Sequence, residues 1–96
     1  GYRMGPSEIE DALTKHDAVL EAGVIGIPDE LKGQVPKAYV VLKEGYQPSE
    51  DLKKDLREFV KTRLAMHEAP RHFTFISELP KTVVGKVKRK DLRSMD

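Results

Sequence analysis

Two stretches of the chain repeat their apolar residues at the spacing of an α-helix. In residues 6–16, Ile9, Ala12, Leu13 and His16 fall at i, i+3, i+4 and i+7, and Pro6 suits a first helical turn. A longer helix is predicted to begin at Pro48 and Ser49, because a serine hydroxyl can cap free N–H groups. One face of this longer helix carries Leu52, Leu56, Phe59, Val60 and Leu64. Each helix therefore presents one apolar face for packing.

Three other stretches have the character of β-strands. Residues 18–27 are rich in valine, isoleucine, alanine and glycine, and the strand is predicted to stop at Pro28 and Asp29, which favour a turn. Residues 35–42 follow as a second strand, and residues 71–76 alternate polar and apolar positions as a third.

The remaining elements complete the predicted order. A loop is expected over 81–86, with Gly85 as its hinge, and a short helical turn over 88–93. The order α, β, β, α, β, loop, α predicts an α+β fold, with a small central sheet flanked by helices. It leaves the order of the strands in the sheet open.

Composition excludes several classes of protein. With 96 residues, of which 39% are hydrophobic, the chain is one small domain with a modest core. No stretch approaches the roughly 20 apolar residues of a membrane span. The absence of cysteine removes disulfides, thiolate metal sites and a cysteine nucleophile, and the three histidines, His16, His67 and His72, are too scattered to predict a metal site. Because the chain begins with Gly1 and lacks the marks of a signal peptide, we expect a fragment of a longer protein.

The net charge of +1 conceals an asymmetry. Residues 1–50 contain five Lys or Arg and nine Asp or Glu, whereas residues 51–96 contain twelve and seven. The basic half favours a polyanion or a phosphorylated ligand. A small nucleic-acid-binding module is one interpretation, but no aromatic residues are interleaved with the basic run, and the pI near 8.2 is low for that class.

Two segments contain candidate catalytic or ligand-binding residues. Residues 80–86 place Lys86 after Gly85 in an exposed loop, where an ammonium group can meet a ligand. Residues 1–10 place two glycines and Arg3 just before a helix, where a narrow ligand could approach the backbone. Considered singly, the first segment is more often a basic turn in solvent, and the second a plain helix entry.

Together the two segments resemble the C-terminal domain of the adenylate-forming superfamily, which includes acyl-CoA synthetases, peptide-synthetase adenylation domains and beetle luciferases. The family's entry motif is matched by Gly1, Arg3, Met4, Pro6, Glu8, Ile9 and Glu10. Its motif near the C-terminus is matched by Pro80, Lys81, Thr82, Gly85, Lys86, Val87 and Arg89. Residues 18–26, followed by Pro28 and Asp29, look like the family's first strand and turn, and residues 32–33 followed by 37–42 look like its second strand. The variant present here is most similar to short- and medium-chain acyl-CoA synthetases.

The resemblance implies that residues 1–96 are the C-terminal lid domain of an AMP-forming acyl-CoA synthetase. In such enzymes a fatty or shorter carboxylic acid and ATP form an acyl adenylate, and CoA then displaces AMP. The lid rotates between the two steps. Lys86 matches the lysine that enters the active site for adenylation, where it bridges the carboxylate and the α-phosphate.

The resemblance also implies a surface for CoA. Gly1, Tyr2 and Arg3 match the loop that lines the tunnel for the pantetheine arm. Lys32, Lys61 and Arg71 match positions that hold the CoA nucleotide and its phosphates. Glu68 departs from the family pattern, because close relatives often carry a lysine there, and this negative charge opposes CoA contacts on that side.

The rest of the reaction is expected to depend on a partner, the large N-terminal domain. That domain would bind ATP, Mg²⁺ and the acyl group, so the isolated lid is expected to be inactive. The expected compartment is the cytoplasm, or the mitochondrial matrix in an animal. Besides the nucleic-acid module, one alternative stays open: the lid of an adenylation domain that loads a carrier protein, for which Lys32, Lys61 and Arg71 need not grip a nucleotide.

Overall fold

Two helices and three strands make up most of the part of the chain that the computed structural model describes, which comprises residues 6–31, 33–64, 69–70, 72–80 and 90–92. Helices α1 and α2 span Pro6–Thr14 and Glu50–Leu64. Strands β1, β2 and β3 span Val19–Asp29, Gly33–Leu42 and His72–Phe75. Residues 90–92 are helical, within the turn predicted over 88–93, whereas the predicted loop over 81–86 lies outside the described residues. The predicted order of the helices and strands is confirmed.

The strands form one sheet in the order β1-β2-β3. β1 and β2 are an antiparallel hairpin, whereas β3 lies parallel to β2, with His72 opposite Lys37 and Phe75 opposite Val40. A parallel neighbour can be reached only by a crossover connection, and α2 provides it. The helix begins as predicted, since Ser49 Oγ accepts the N–H of Leu52 at 3.0 Å. The result is the predicted α+β fold, with its strand order now determined.

The β1–β2 hairpin extends beyond β3 as a two-stranded arm. In the described residues β3 pairs with β2 only from Lys37 onward, so residues 33–36 and their partners 26–29 project by about 13 Å. The predicted end of the first strand before Pro28 was wrong. A proline is tolerated there because β1 is an edge strand, and Pro36 likewise lies where β2 has a single neighbour.

The turn at the tip of the arm has a defined conformation on both sides of Lys32. Asp29 Oδ2 accepts the N–H of Leu31 at 3.1 Å, which closes an Asx turn. Gly33 has a φ of 81°, a conformation that other residues resist. Leu31 is 94% exposed. The arm therefore ends in a tight turn that holds an apolar side chain in solvent.

Alternation along the strands separates two apolar clusters, one on each face of the sheet. The first, which we call the helix-side cluster, contains Ile9, Ala12, Leu13, Val19, Ala22, Val24, Ala38, Val40, Leu56, Val60, Ala69 and Phe73. The second, which we call the far-side cluster, contains Ile25, Tyr39, Val41, Leu79 and Leu92. Neighbouring residues such as Val40 and Val41 belong to different clusters, as the period of a strand requires. The small sheet is therefore buried on both faces.

Glu10 protects the open edge of the sheet. An edge strand such as β1 exposes N–H groups that invite pairing with another chain. Glu10 Oε2 accepts the N–H of Val24 at 2.8 Å, from the middle of α1 to the middle of β1. Glu10, which belongs to the entry motif, thus has a structural role at the edge of the sheet.

His16 joins the end of α1 to α2. The predicted helix end at residue 16 was two residues too late, because α1 ends at Thr14 and His16 lies in the following turn. Its Nδ1 accepts the N–H of Ala18 at 3.0 Å, so Nε2 carries the hydrogen and donates to Asp55 Oδ2 at 2.6 Å. The ring also meets Phe59 edge-on, with centroids 5.0 Å apart.

These contacts predict that His16 contributes measurably to stability. His16→Ala should lower the free energy of unfolding by about 1–3 kcal/mol, because it removes two hydrogen bonds and an aromatic contact. The matched control is His72→Ala, an exposed position on β3, which should cost less than about 1 kcal/mol. Urea unfolding of the chain measures both, and equal losses would contradict this role.

Candidate functional site

Two buried leucines hold the ends of the segment that contains Lys86. Leu79 is 3% exposed and Leu92 is fully buried, and both belong to the far-side cluster with Tyr39. Residues 81–89 lie between them and outside the described residues. Burial of a leucine stabilises its position by about 2 kcal/mol, so the described residues before and after this segment are anchored on the same face of the sheet.

Lys37 lies at the margin of the far-side cluster. Tyr39 is 1% exposed, and the Nζ atom of Lys37 lies 5.0 Å from the centroid of its ring. A cation over an aromatic face is stabilised by the ring quadrupole. Sequence reasoning assigned no role to Lys37, although strict alternation along β2 places Lys37, Tyr39 and Val41 on one face. This face therefore carries positive charge besides the leucines that hold the Lys86 segment.

The predicted CoA residues are distributed over four parts of the chain, and Lys61 alone among them lies in the described part. It is exposed in the last turn of α2. The other predicted residues, which are Gly1, Tyr2, Arg3, Lys32 and Arg71, lie outside the described residues, as does Lys86. The described residues next to them in sequence can be placed relative to the sheet.

Chain direction brings those neighbours to one end of the domain, the end that carries the arm. Because α2 starts after β2 and leads into a strand parallel to β2, its last turn lies at the same end as the start of β3, His72. The turn between β1 and β2 extends from this end. Helix α1 runs back along β1, since Thr14 lies before the start of β1 and Glu10 contacts Val24, so the first turn of α1 lies toward this end as well.

The charges at the end of α2 differ in their contacts. Arg63 lies over the ring of Phe59 at 5.2 Å, on the side of the helix that faces α1. Lys61 has no carboxylate partner in the described part of the chain, and its position also suits the negative end of the helix dipole. Because the dipole is negative here, an anion that binds at this end of α2 needs a side-chain cation such as Lys61.

Metal binding and membrane crossing each require a feature that can be checked in the described residues. Nowhere among them do three or more acidic or histidine side chains come close enough together to hold a metal ion. Likewise, neither α1 nor α2 has the length and apolar character that crossing a membrane requires.

Comparison with known proteins identifies the family. Residues 8–86 match the family model described as AMP-binding enzyme C-terminal domain. The chain is 50% identical over 95 residues to 4-hydroxybutyrate--CoA ligase 1 of Metallosphaera sedula, covering 99% of the chain and 17% of that ligase. It is 48% identical over 96 residues to the acetyl-coenzyme A synthetase of Bacillus subtilis, covering 100% of the chain and 17% of that enzyme. The crystal structure of a Brucella canis acyl-CoA synthetase matches with a TM-score of 0.93 and 44% identity, over 99% of the chain and 18% of that structure.

The chain belongs to the AMP-binding enzyme C-terminal domain family, as the two sequence motifs predict. Its relatives are acyl-CoA and acetyl-CoA synthetases, and the match favours the acyl-CoA synthetase interpretation over a nucleic-acid-binding module. The chain spans only 17–18% of the length of these relatives.

The far-side cluster predicts how the Lys86 segment is held. Leu92→Ala should speed trypsin cleavage within residues 81–89 by at least about tenfold, because the lost burial raises the population of open states. Leu31→Ala makes the same chemical change at a 94% exposed position and should leave the rate unchanged. Equal cleavage rates for the two variants would show that Leu92 does not hold the segment.

Proposed function

We propose that residues 1–96 form the C-terminal lid domain of an AMP-forming acyl-CoA synthetase. The complete enzyme converts a carboxylic acid, ATP and CoA into acyl-CoA, AMP and pyrophosphate. The observation that carries this proposal is the match over 99% of the chain, at a TM-score of 0.93, to the Brucella canis acyl-CoA synthetase. The partner that the proposal requires is the enzyme's own large N-terminal domain.

Lys86 acts in the first half-reaction. A carboxylate oxygen attacks the α-phosphate of ATP and pyrophosphate leaves, so two anions must approach each other closely. An ammonium group placed between them orients both and offsets the charge of the transition state. The burial of Leu79 and Leu92 supports this assignment, because a segment held at both ends loses less conformational entropy when its lysine binds.

The arm-side end of the domain acts in the second half-reaction, in which the thiol of CoA displaces AMP. Gly1, Tyr2 and Arg3 line the path of the pantetheine arm. Lys32, Lys61 and Arg71 bind the phosphates of the nucleotide. The exposure of Lys61, and the common end to which chain direction brings the neighbours of the others, support one binding surface.

The other requirements of the reaction belong to the N-terminal domain. ATP and CoA are substrates, and Mg²⁺ supplies charge neutralisation at the phosphates when it is bound there. The acyl pocket lies in the same domain. We place the enzyme in the cytoplasm, or in the mitochondrial matrix if the source is an animal. If the second half-reaction used a carrier protein instead of CoA, the chain would be the lid of a carrier-loading adenylation domain.

The first test of the mechanism is Lys86→Ala in the full-length protein. Pyrophosphate release in the adenylation half-reaction should fall by about two to four orders of magnitude, because a preorganised charge at the reacting phosphate is lost. Thioester formation from a supplied acyl adenylate and CoA should be nearly unchanged, since the rotated lid removes Lys86 from the site.

Lys81→Ala and Lys88→Ala are the controls for Lys86. They remove charges that are near Lys86 in sequence and should change either half-reaction by less than about tenfold. Equal loss of both half-reactions in Lys86→Ala would mean that this lysine maintains the interface between the domains and has no direct catalytic role.

The second test concerns CoA. Lys32→Glu, Lys61→Glu and Arg71→Glu should each raise the KM for CoA by about tenfold or more and leave adenylate formation unchanged, because each residue touches only the second ligand. The control is Lys43→Glu, an exposed lysine that follows β2 at the opposite end of the domain. Normal CoA kinetics in all three variants would place the nucleotide elsewhere.

A further inference from the structure

Helix α1 lies on the sheet through an apolar face. Ile9, Ala12 and Leu13 are at most 4% exposed and belong to the helix-side cluster. Apolar burial is non-directional, so it favours contact without selecting one rotation of the helix. A hydrogen bond demands a short distance and a nearly linear geometry. Hydrogen bonds therefore set the rotation of α1, and its register along β1, more narrowly than the apolar face does.

Hydrogen bonds hold α1 near each of its ends. His16, in the turn that follows the helix, bonds to Ala18 and to α2. Glu10 lies near the other end, one turn after Pro6, and its Oε2 accepts the N–H of Val24 at 2.8 Å. The Glu10 contact is partly buried, and a hydrogen bond shielded from water is stronger than an exposed one. Glu10 therefore fixes the first half of α1 against the middle of β1.

The place of Glu10 matters because of the residues that precede the helix in sequence. Gly1, Tyr2 and Arg3, which are proposed to line the path of the pantetheine arm, come directly before α1. Two of the five residues before Pro6 are glycines, which have no side chain to pack. This stretch therefore offers few contacts of its own, and the first turn of α1 sets the point from which it starts.

We infer that Glu10 is a positioning residue for the thiol substrate. Through its bond to Val24 it holds the first turn of α1, and thereby the segment that lines the path of the pantetheine arm. This inference rests on the proposed function, and Glu10 itself touches no substrate. A shift of about 1 Å in a positioning element can cost on the order of a hundredfold in rate. The adenylation step should be spared, because Leu79 and Leu92, which flank Lys86 in sequence, lie on the other face of the sheet.

The experiment compares CoA with pantetheine, which has the same thiol arm and no nucleotide. In the full-length protein, the thioester half-reaction is started from a supplied acyl adenylate, and pyrophosphate release measures adenylation separately. Glu10→Ala should raise the KM for both thiols by the same factor, about fivefold to tenfold, and change adenylation by less than about twofold. Glu10→Gln keeps an oxygen that can accept the Val24 N–H and should return both KM values to within about twofold of normal.

Two controls separate positioning from charge and from stability. Asp11→Ala removes the same charge from the next residue of α1, which is exposed, and should leave both KM values unchanged. His16→Ala weakens the attachment of α1 at the end away from Gly1. It should lower the urea midpoint at least as much as Glu10→Ala does, yet change the KM for either thiol by less than about twofold.

The outcomes distinguish this inference from the proposed function. Normal KM values in Glu10→Ala, an equal rise in His16→Ala, or equal losses of both half-reactions would each make Glu10 a structural residue only and leave the proposed function intact. If Glu10→Ala did not fold, Glu10→Asp would make the same test, because it keeps the charge and shortens the reach by one methylene. If the unaltered protein formed no thioester with CoA, the proposed function and this inference would both fail.

Discussion

Burial of the central strand on both of its faces is the constraint on which the rest of this small domain depends. Along β2, Ala38 and Val40 face the helices, whereas Tyr39 and Val41 face the opposite side. A strand buried in this way needs cover on both sides, and with no cysteine the cover must come from packing. The helices cover one face. The residues that flank the Lys86 segment cover the other, so the same apolar contacts that complete the core also hold the proposed catalytic segment.

This arrangement places the two proposed activities on different parts of one domain. Leu79 and Leu92, which flank the Lys86 segment in sequence, lie on the far side of the sheet, whereas Lys61 lies at the arm-side end of α2. A lid that alternates between two half-reactions needs such separation, because a rigid rotation can then present one part and withdraw the other. No internal rearrangement of the sheet is required for the exchange.

The charged residues divide into those with structural partners and those without. Glu10 bonds the edge of β1, Asp55 receives the His16 hydrogen bond, and Glu50 pairs with Lys53. After these pairings, Arg57 and Lys61 remain without a carboxylate partner in the described residues. Helix α2 carries five basic and four acidic residues, so its total charge is nearly balanced and an anionic ligand would depend on the positions of individual cations.

Local pattern alone determined the helices and strands, and two motifs determined the family, because periodicity and short motifs depend on neighbours in sequence. The same periodicity could have placed Lys61 off the apolar face of α2, and alternation could have placed Lys37 beside Tyr39. Only the tertiary structure decided that β3 lies parallel to β2, that β1 continues through Pro28 as an edge strand, and that Leu79 and Leu92 join the cluster of Tyr39. It also decided that the Nε of Arg57 is buried without a partner. These features depend on which distant segments exclude water from each other, and no local pattern encodes that.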